Sequence, residues 1–422
     1  MPSRPQACHG CQSTRPESEG IAIDAAFGTR LPFRETPHRG NAPAVSQPLP
    51  LAGVRVFEIG TSVAAPYAGL ILASLGADLV KVERPEGDDA RHWGPPFWHG
   101  ASSIFQVLTV NKRSIVVDLK DAAALAALKR LIVESGDAVL QNMRPGQVEK
   151  YGLDAAALQA AKPDLVYCNI GAFGAAGPLK DKPGYDPLMQ AFGGLMMMTG
   201  EEGRPPVRVG TSLIDMGTGM WCALGIVAAL LRRERGGGGT RIDTSLYETA
   251  LAWMTYHAAD FIATGQPGRR NGSGTRGIAP YQAYRCSDGY LMVAAANDNL
   301  FRKLCAALGH PGWAAEAHFA DNPSRVKNLA ALNALIDPIM ATRPRGEWQA
   351  ALEAAGIPAT PTQTIDEVVV HPQTAALGML QRTPDGRMDI LGLPLSFDGE
   401  RPALRNAAPA LGADTDTILE KA

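Results

Sequence analysis

Short β-branched apolar runs alternate along this chain with longer apolar stretches suited to helices. Val54–Ile59 (VRVFEI) fits a strand, Pro66–Leu75 a helix, and Asp78–Glu83 (DLVKVE) a second strand, which together make a βαβ unit. The alternation continues through RSIVVDL, DAAALAALKRLIVESG, DAVLQN and DLVYCNI. It predicts a Rossmann-like parallel sheet covered by helices. The turn after the first strand, GTSVAAP, lacks GxGxxG, so the pattern gives no support for a dinucleotide cofactor.

A second long apolar stretch predicts a helix over Gly217–Arg235, closed by RRERGGGG, a basic last turn running into glycines. TRIDTSL then reads as a strand entering another helix. From Gly268 the texture changes to a Gly-rich loop and a hairpin turning at SDG, followed by two or three amphipathic helices between Leu300 and Ala355. The expected organisation is a flexible extension (1–49), a large α/β domain (50–247), a linker helix (248–267), a smaller α/β domain (268–360), and a linker that returns to the large domain (361–422). The Met196–Met198 run is expected to fill core space.

Composition narrows the function more than it names it. The chain has 422 residues, 45% hydrophobic and 19% charged, with 40 basic and 42 acidic side chains giving a formal charge of −2. No excess of basic charge points to nucleic acid or an anionic membrane. The apolar run Met216–Leu231 is too Gly-rich for a membrane span, so a cytoplasmic protein is expected. Six cysteines in a chain of this length do not make a disulfide framework. Cys8 and Cys11 form one CxxC without a second pair, and no metal site is expected.

One residue breaks the apolar pattern. Asp215 stands between Ile214 and Met216 at the head of the long helix. A helix N-cap and a nucleophile held ionised by the helix dipole both suit it, and residue types alone do not separate the two.

From Leu51 onward the chain resembles the class III CoA-transferases, the group of formyl-CoA transferase and the carnitine CoA-transferases. The resemblance rests on GVRVFEIGTSVAAPYAGLILASLGADLVKVERPEGDDAR, NKRSIVVDLK, QNMRPGQVEKYGLD, GYDPLMQAFGGLMMMTG, LIDMGTGM and GGGGTRIDTSLYETAL, which occur in the family's order. It implies that Asp215 is the catalytic nucleophile, forming first an acyl-aspartyl anhydride and then an aspartyl-CoA thioester. It implies CoA and acyl-CoA as substrates with no permanently bound cofactor, a free carboxylic acid as acceptor, and succinyl-CoA as a donor. Contacts to CoA fall by the same resemblance on Val63, Ala64, Arg84, Val117, Asn142 and Lys150, with Arg91, Arg113 and Arg144 in second rank. The loop Asn271–Gly277, with Gly272, Ser273 and Gly274, matches the glycine loop that closes over the site, and Arg276 beside it is placed to select the acceptor.

Two departures from the pattern matter. Related α-methylacyl-CoA racemases carry a histidine where this chain has Tyr185, and a phenol with an ordinary pKa of about 10 is a poor base near neutrality. A CoA-transferase therefore ranks above an acyl-CoA racemase or epimerase of the same fold, and above a catalytically silent CoA-binding protein. Dicarboxylate-specific relatives often carry His-Pro at Thr275–Arg276, so the resemblance leaves the acceptor open. The family's assembly implies a homodimer of interlocked rings, threaded through linkers near Glu248–Gly268 and Gly356–Pro372.

Overall fold

A computed structural model describes residues 48–419; Cys8 and Cys11 and the rest of the 1–47 stretch lie outside the described residues. Six strands form one sheet: β1 Arg55–Ile59, β2 Asp78–Glu83, β3 Lys112–Val116, β4 Ala138–Gln141, β5 Val166–Gly171 and β6 Arg241–Ser245. All neighbours are parallel, in the spatial order β3-β2-β1-β4-β5-β6. Consecutive residues of each inner strand point to opposite faces, so Val56, Leu79, Ala138 and Val166 join one buried cluster while Phe57, Val80, Val139 and Tyr167 join another. Burial on both faces explains why these strands are almost continuously apolar in sequence.

Helix α1 (Ala64–Ser74) covers the first face, and α2 (Ala122–Ser135) the second. α1 packs against the long helix discussed below. The C-terminal segment lies along the edge strand β3: Asp414 Oδ2 accepts from the Ser114 amide at 3.0 Å, and Thr415 Oγ1 from that of Val116 at 3.0 Å. An edge that would otherwise expose unpaired amides is thereby covered.

Beyond the sheet's β5 strand come the helices α3 (Asp186–Phe192), α4 (Leu213–Glu234) and α5 (Leu246–Trp253), with a single helical turn at Leu195–Met198 between the first two, and then α6 (Thr255–Thr264). The expected linker helix over 248–267 is thus two helices. α5 buries Leu246, Thr249 and Ala250, whereas α6 buries no residue. β7 (Tyr281–Cys286), β8 (Gly289–Ala294) and β9 (Ala359–Pro361) form an antiparallel sheet. It shares a separate core of Tyr284, Leu291, Phe301, Leu332, Trp348 and Ile357 with helices at Asp298–Ala307, Leu329–Met340 and Arg345–Ala354, while a further helix, Asn322–Lys327, buries Arg325 over the Phe301 ring. These are four helices, where the amphipathic pattern predicts two or three.

Two expectations are corrected. The methionine run is not core filler, for Met197 is exposed. Its helix, Leu195–Met198, is one turn long, and side chains about 100° apart around the axis cannot all face inward. The long helix begins at Leu213 rather than Gly217, because a remote carboxylate supplies its cap. α4 is the one helix among the described residues long and apolar enough to cross a membrane. Gly217, Gly219, Cys222, Ala223, Ile226 and Leu230 along it are buried in the fold.

Candidate active site

In an open parallel sheet, ligands bind beyond the carboxyl ends of the strands where the strand order reverses. Here that point lies between β1 and β4, and it holds a cavity of about 780 Å³. Thr61, Ser62, Val63 and Ala64 reach it from β1, and Asn142, Met143 and Arg144 from β4. Asn142 ties the two together. Its Oδ1 accepts from the Thr61 amide at 3.0 Å and its Nδ2 donates to the Thr61 carbonyl at 2.9 Å. A chain of amides continues along the strand ends. Gln141 donates to Asn169, whose Nδ2 donates to Asp243 at 3.0 Å, and Gln141 Oε1 accepts from the Met143 amide at 2.7 Å.

Asp215 lies on the cavity wall, half-buried in the first turn of α4. It is the third helical residue, not the cap; the N-cap position is Ser212, whose side chain makes no capping bond. Capping comes from 28 positions away. Asp186 Oδ2 accepts from the amides of Ile214 at 2.7 Å and Asp215 at 3.2 Å. The buried Asp186 is fixed in turn by Gln190, whose Nε2 donates to Oδ1 at 2.6 Å and whose Oε1 accepts from the Val209 amide at 2.8 Å. The first helical amides therefore satisfy Asp186 and leave the Asp215 carboxylate free for chemistry.

The electrostatic expectation is overturned. Burial, and after it the like charge of Asp186, push the Asp215 carboxyl up to about 7. The helix N-terminus does not hold it at an ordinary carboxylate value, because desolvation disfavours the charged form and a second carboxylate already occupies the helix end.

Two glycines let the helices close around this turn. A Cβ at Gly219 would sit 2.7 Å from the Ala64 carbonyl oxygen of α1, and one at Gly217 would sit 2.7 Å from the Trp253 ring of α5. The same Ala64 borders the cavity, so the spacing of α1 and α4 sets the distance between Asp215 and that wall.

Val63, Ala64, Arg84, Asn142 and Tyr185 line the cavity with Asp215, as does Arg144. Arg84 is not a free cation: it pairs with Asp89 and donates through Nε to the Gly87 carbonyl at 2.9 Å. Val117 and Lys150 do not line the cavity. Val117 is buried in the core beneath α2, since it continues the inward-facing side of β3, and the Lys150 ammonium lies 5.5 Å from the centre of the Tyr151 ring. Arg91 and Arg113 are engaged elsewhere, with Glu83 and Asp78.

The 271–277 loop is likewise not part of this wall within one chain. Gly272 donates its amide to the Gly200 carbonyl at 2.9 Å, Ser273 Oγ accepts from the Ala283 amide at 3.0 Å, and Gly274 donates to the Asn271 carbonyl at 2.9 Å. Arg276 lies 3.7 Å from Asp260 of α6, both exposed. Sequence reasoning missed Asp186, which sits one residue beyond Tyr185 in GYDP. An aspartate followed by proline at a helix start looks like a local cap, and only the fold carries it to another helix.

The family model described as CoA-transferase family III matches residues 51–415. An acyl-CoA transferase of Fusarium pseudograminearum is 36% identical over 385 residues, covering 88% of this chain and 84% of the relative. Succinate–glutarate CoA-transferase of Agrobacterium fabrum is 36% identical, covering 78% and 84%. Among solved structures, a CAIB/BAIF family protein from Brucella suis has a TM-score of 0.82 at 37% identity, covering 89% of this chain and all of that one.

Proposed function

The chain belongs to CoA-transferase family III and is a CoA-transferase, and on that premise we propose that it moves CoA to a free dicarboxylic acid with Asp215 as the covalent carrier. The observation that carries this reading is a half-buried carboxylate on a switch-point cavity, with its backbone amide bound by Asp186 and its own oxygens left without such a partner among the described residues. Ionised Asp215 attacks the donor thioester carbonyl, and the C–S bond breaks to give a mixed anhydride and CoA thiolate. The thiolate attacks the aspartyl carbonyl, releasing the donor acid and leaving an aspartyl-CoA thioester. The acceptor carboxylate attacks that thioester, and the thiolate returns to the acceptor's acyl group, which restores the Asp215 carboxylate. A dicarboxylic acceptor is favoured by the relative named for succinate and glutarate.

The acting unit is a homodimer of interlocked rings. Apolar side chains support this: Met220, Trp221 and Leu224 on α4, Tyr256, Phe261 and Ile262 on α6, and Ile365 and Val370 farther on are all exposed in a single chain. Hydroxylamine added during turnover with succinyl-CoA and a panel of free acids tests the reading. It should convert Asp215 to a hydroxamate, and mass spectrometry should find new thioesters with dicarboxylates. Modification of another residue, or none, would overturn the covalent role.

A further inference from the structure

Beneath the β1–α1 turn lies a cluster of six charged side chains that the transfer chemistry does not use. Glu58 on β1 is fully buried, as are Lys81 on β2 and Lys112 on β3. Lys81 Nζ donates to Glu58 Oε1 at 2.9 Å, and Lys112 Nζ to Glu58 Oε2 at 2.6 Å. Lys81 also lies 2.8 Å from Asp88 Oδ2, while Glu83 binds Arg91 with Nη2 to Oε1 at 2.6 Å. Three acids and three bases make the cluster neutral. Helix α1 adds no charge to it; Gly69 faces it instead, where a Cβ would fall 2.0 Å from Glu58 Oε2.

Buried ion pairs contribute little net stability, because desolvation offsets their attraction. These pairs have another output. Three of its members also bond the backbone of residues 60–66: Lys81 Nζ donates to the Gly60 carbonyl at 2.8 Å, Lys112 Nζ to the Pro66 carbonyl at 2.7 Å, and Asp88 Oδ1 accepts from the Ser62 amide at 3.1 Å. Ser62 has φ of 71°, a left-handed conformation that strains a non-glycine residue. The turn is thus held at both ends and at its strained centre. Thr61, Ser62, Val63 and Ala64 of that turn wall the cavity.

We infer that Lys112 is a positioning residue for CoA-ester binding: with Lys81 and Asp88 it fixes the 60–66 turn in the shape that receives the ligand. The inference rests on the CoA reading for the ligand but not for the turn. Lys112→Met alone strands Glu58 with a single ammonium, so the double variant Glu58→Gln/Lys112→Met, which removes both charges and keeps their volume, provides a second test. The measurements are amide hydrogen exchange over 60–66 in the full chain, thermal melting, and binding of an unreactive CoA thioether.

In the double variant, exchange of the turn's amides should quicken at least ~10-fold, and the thioether Kd should rise at least ~10-fold, about one buried hydrogen bond's worth. Exchange in β4 and β5 should stay unchanged. A merely structural cluster would alter melting without this local release. Unchanged protection over 60–66 in the folded variant overturns the inference, as does a released turn with unaltered affinity. If the wild-type protein fails to bind the thioether, the CoA reading falls, and exchange still decides whether Lys112 holds the turn.

Discussion

Two carboxylates in one small region set the chemistry at the residue scale. Asp186 holds the helix amides, and Asp215 is left desolvated with a pKa of about 7. In the proposed covalent role Asp215 must be ionised, so kcat/KM should rise with pH along an acid limb centred near 7 in the free enzyme. Asp186→Asn removes the like charge, eases ionisation of Asp215 and should move that limb to lower pH. A limb that stays in place would show that burial alone raises the group.

The same shift makes a stability prediction. Folded Asp215 keeps its proton to about 7, whereas an unfolded aspartate loses it near 3.9, so the folded state is penalised as pH climbs through that window. Asp215→Asn is spared the penalty. Its melting temperature should equal that of the wild type near pH 4 and exceed it by several degrees at pH 8, where transfer activity should be lost by several orders of magnitude. Equal melting at both pH values would mean that Asp215 is solvated.

For the secondary-structure elements, the decisive contact is that between α1 and α4. Gly219 lets the α4 backbone approach Ala64, and the added methyl of Gly219→Ala would meet that carbonyl at 2.7 Å. The helices must part, and overpacking of this kind costs about 1–3 kcal/mol. Because Ala64 belongs to the cavity wall, the variant should also raise KM for the CoA ester more than it lowers kcat. Urea melts and steady-state kinetics on one preparation would separate the two effects. A destabilised variant with unaltered KM would show that the spacing of α1 and α4 does not shape the site.

At the scale of the whole molecule, α6 is the telling element. It buries none of its ten residues, and Ile262 on it is 82% exposed. Isolated helices this short are marginal in water, and the proposed dimer accounts for such a helix by covering it. An interlocked dimer would supply that cover and could not separate without unfolding. Analytical ultracentrifugation or mass photometry at nanomolar concentration should find dimer and no folded monomer. A monodisperse monomer of 44.6 kDa would refute the arrangement.

The sequence by itself determined the sheet. Apolar runs buried on both faces, spaced by helical stretches, mark the inner strands β1, β2, β4 and β5 because their periodicity is local and survives any packing. Asp215 stands out for a similar reason, as a charge in an otherwise apolar stretch, and the family resemblance supplies the role proposed for it. What the sequence could not provide was the identity of its neighbours. Asp186 stands 29 positions away and reads as a local cap until folding aims it at another helix. Lys112, Lys81 and Glu58 look like ordinary strand charges until parallel pairing stacks three strands and buries all three side chains. Val117, matched in sequence to a ligand contact, continues the inward-facing side of its strand into the core, and Lys150, matched likewise, does not line the cavity of the single chain. Position along a chain is fixed by covalent order, but which side chains meet, and how strongly water is excluded between them, is decided only when distant elements pack.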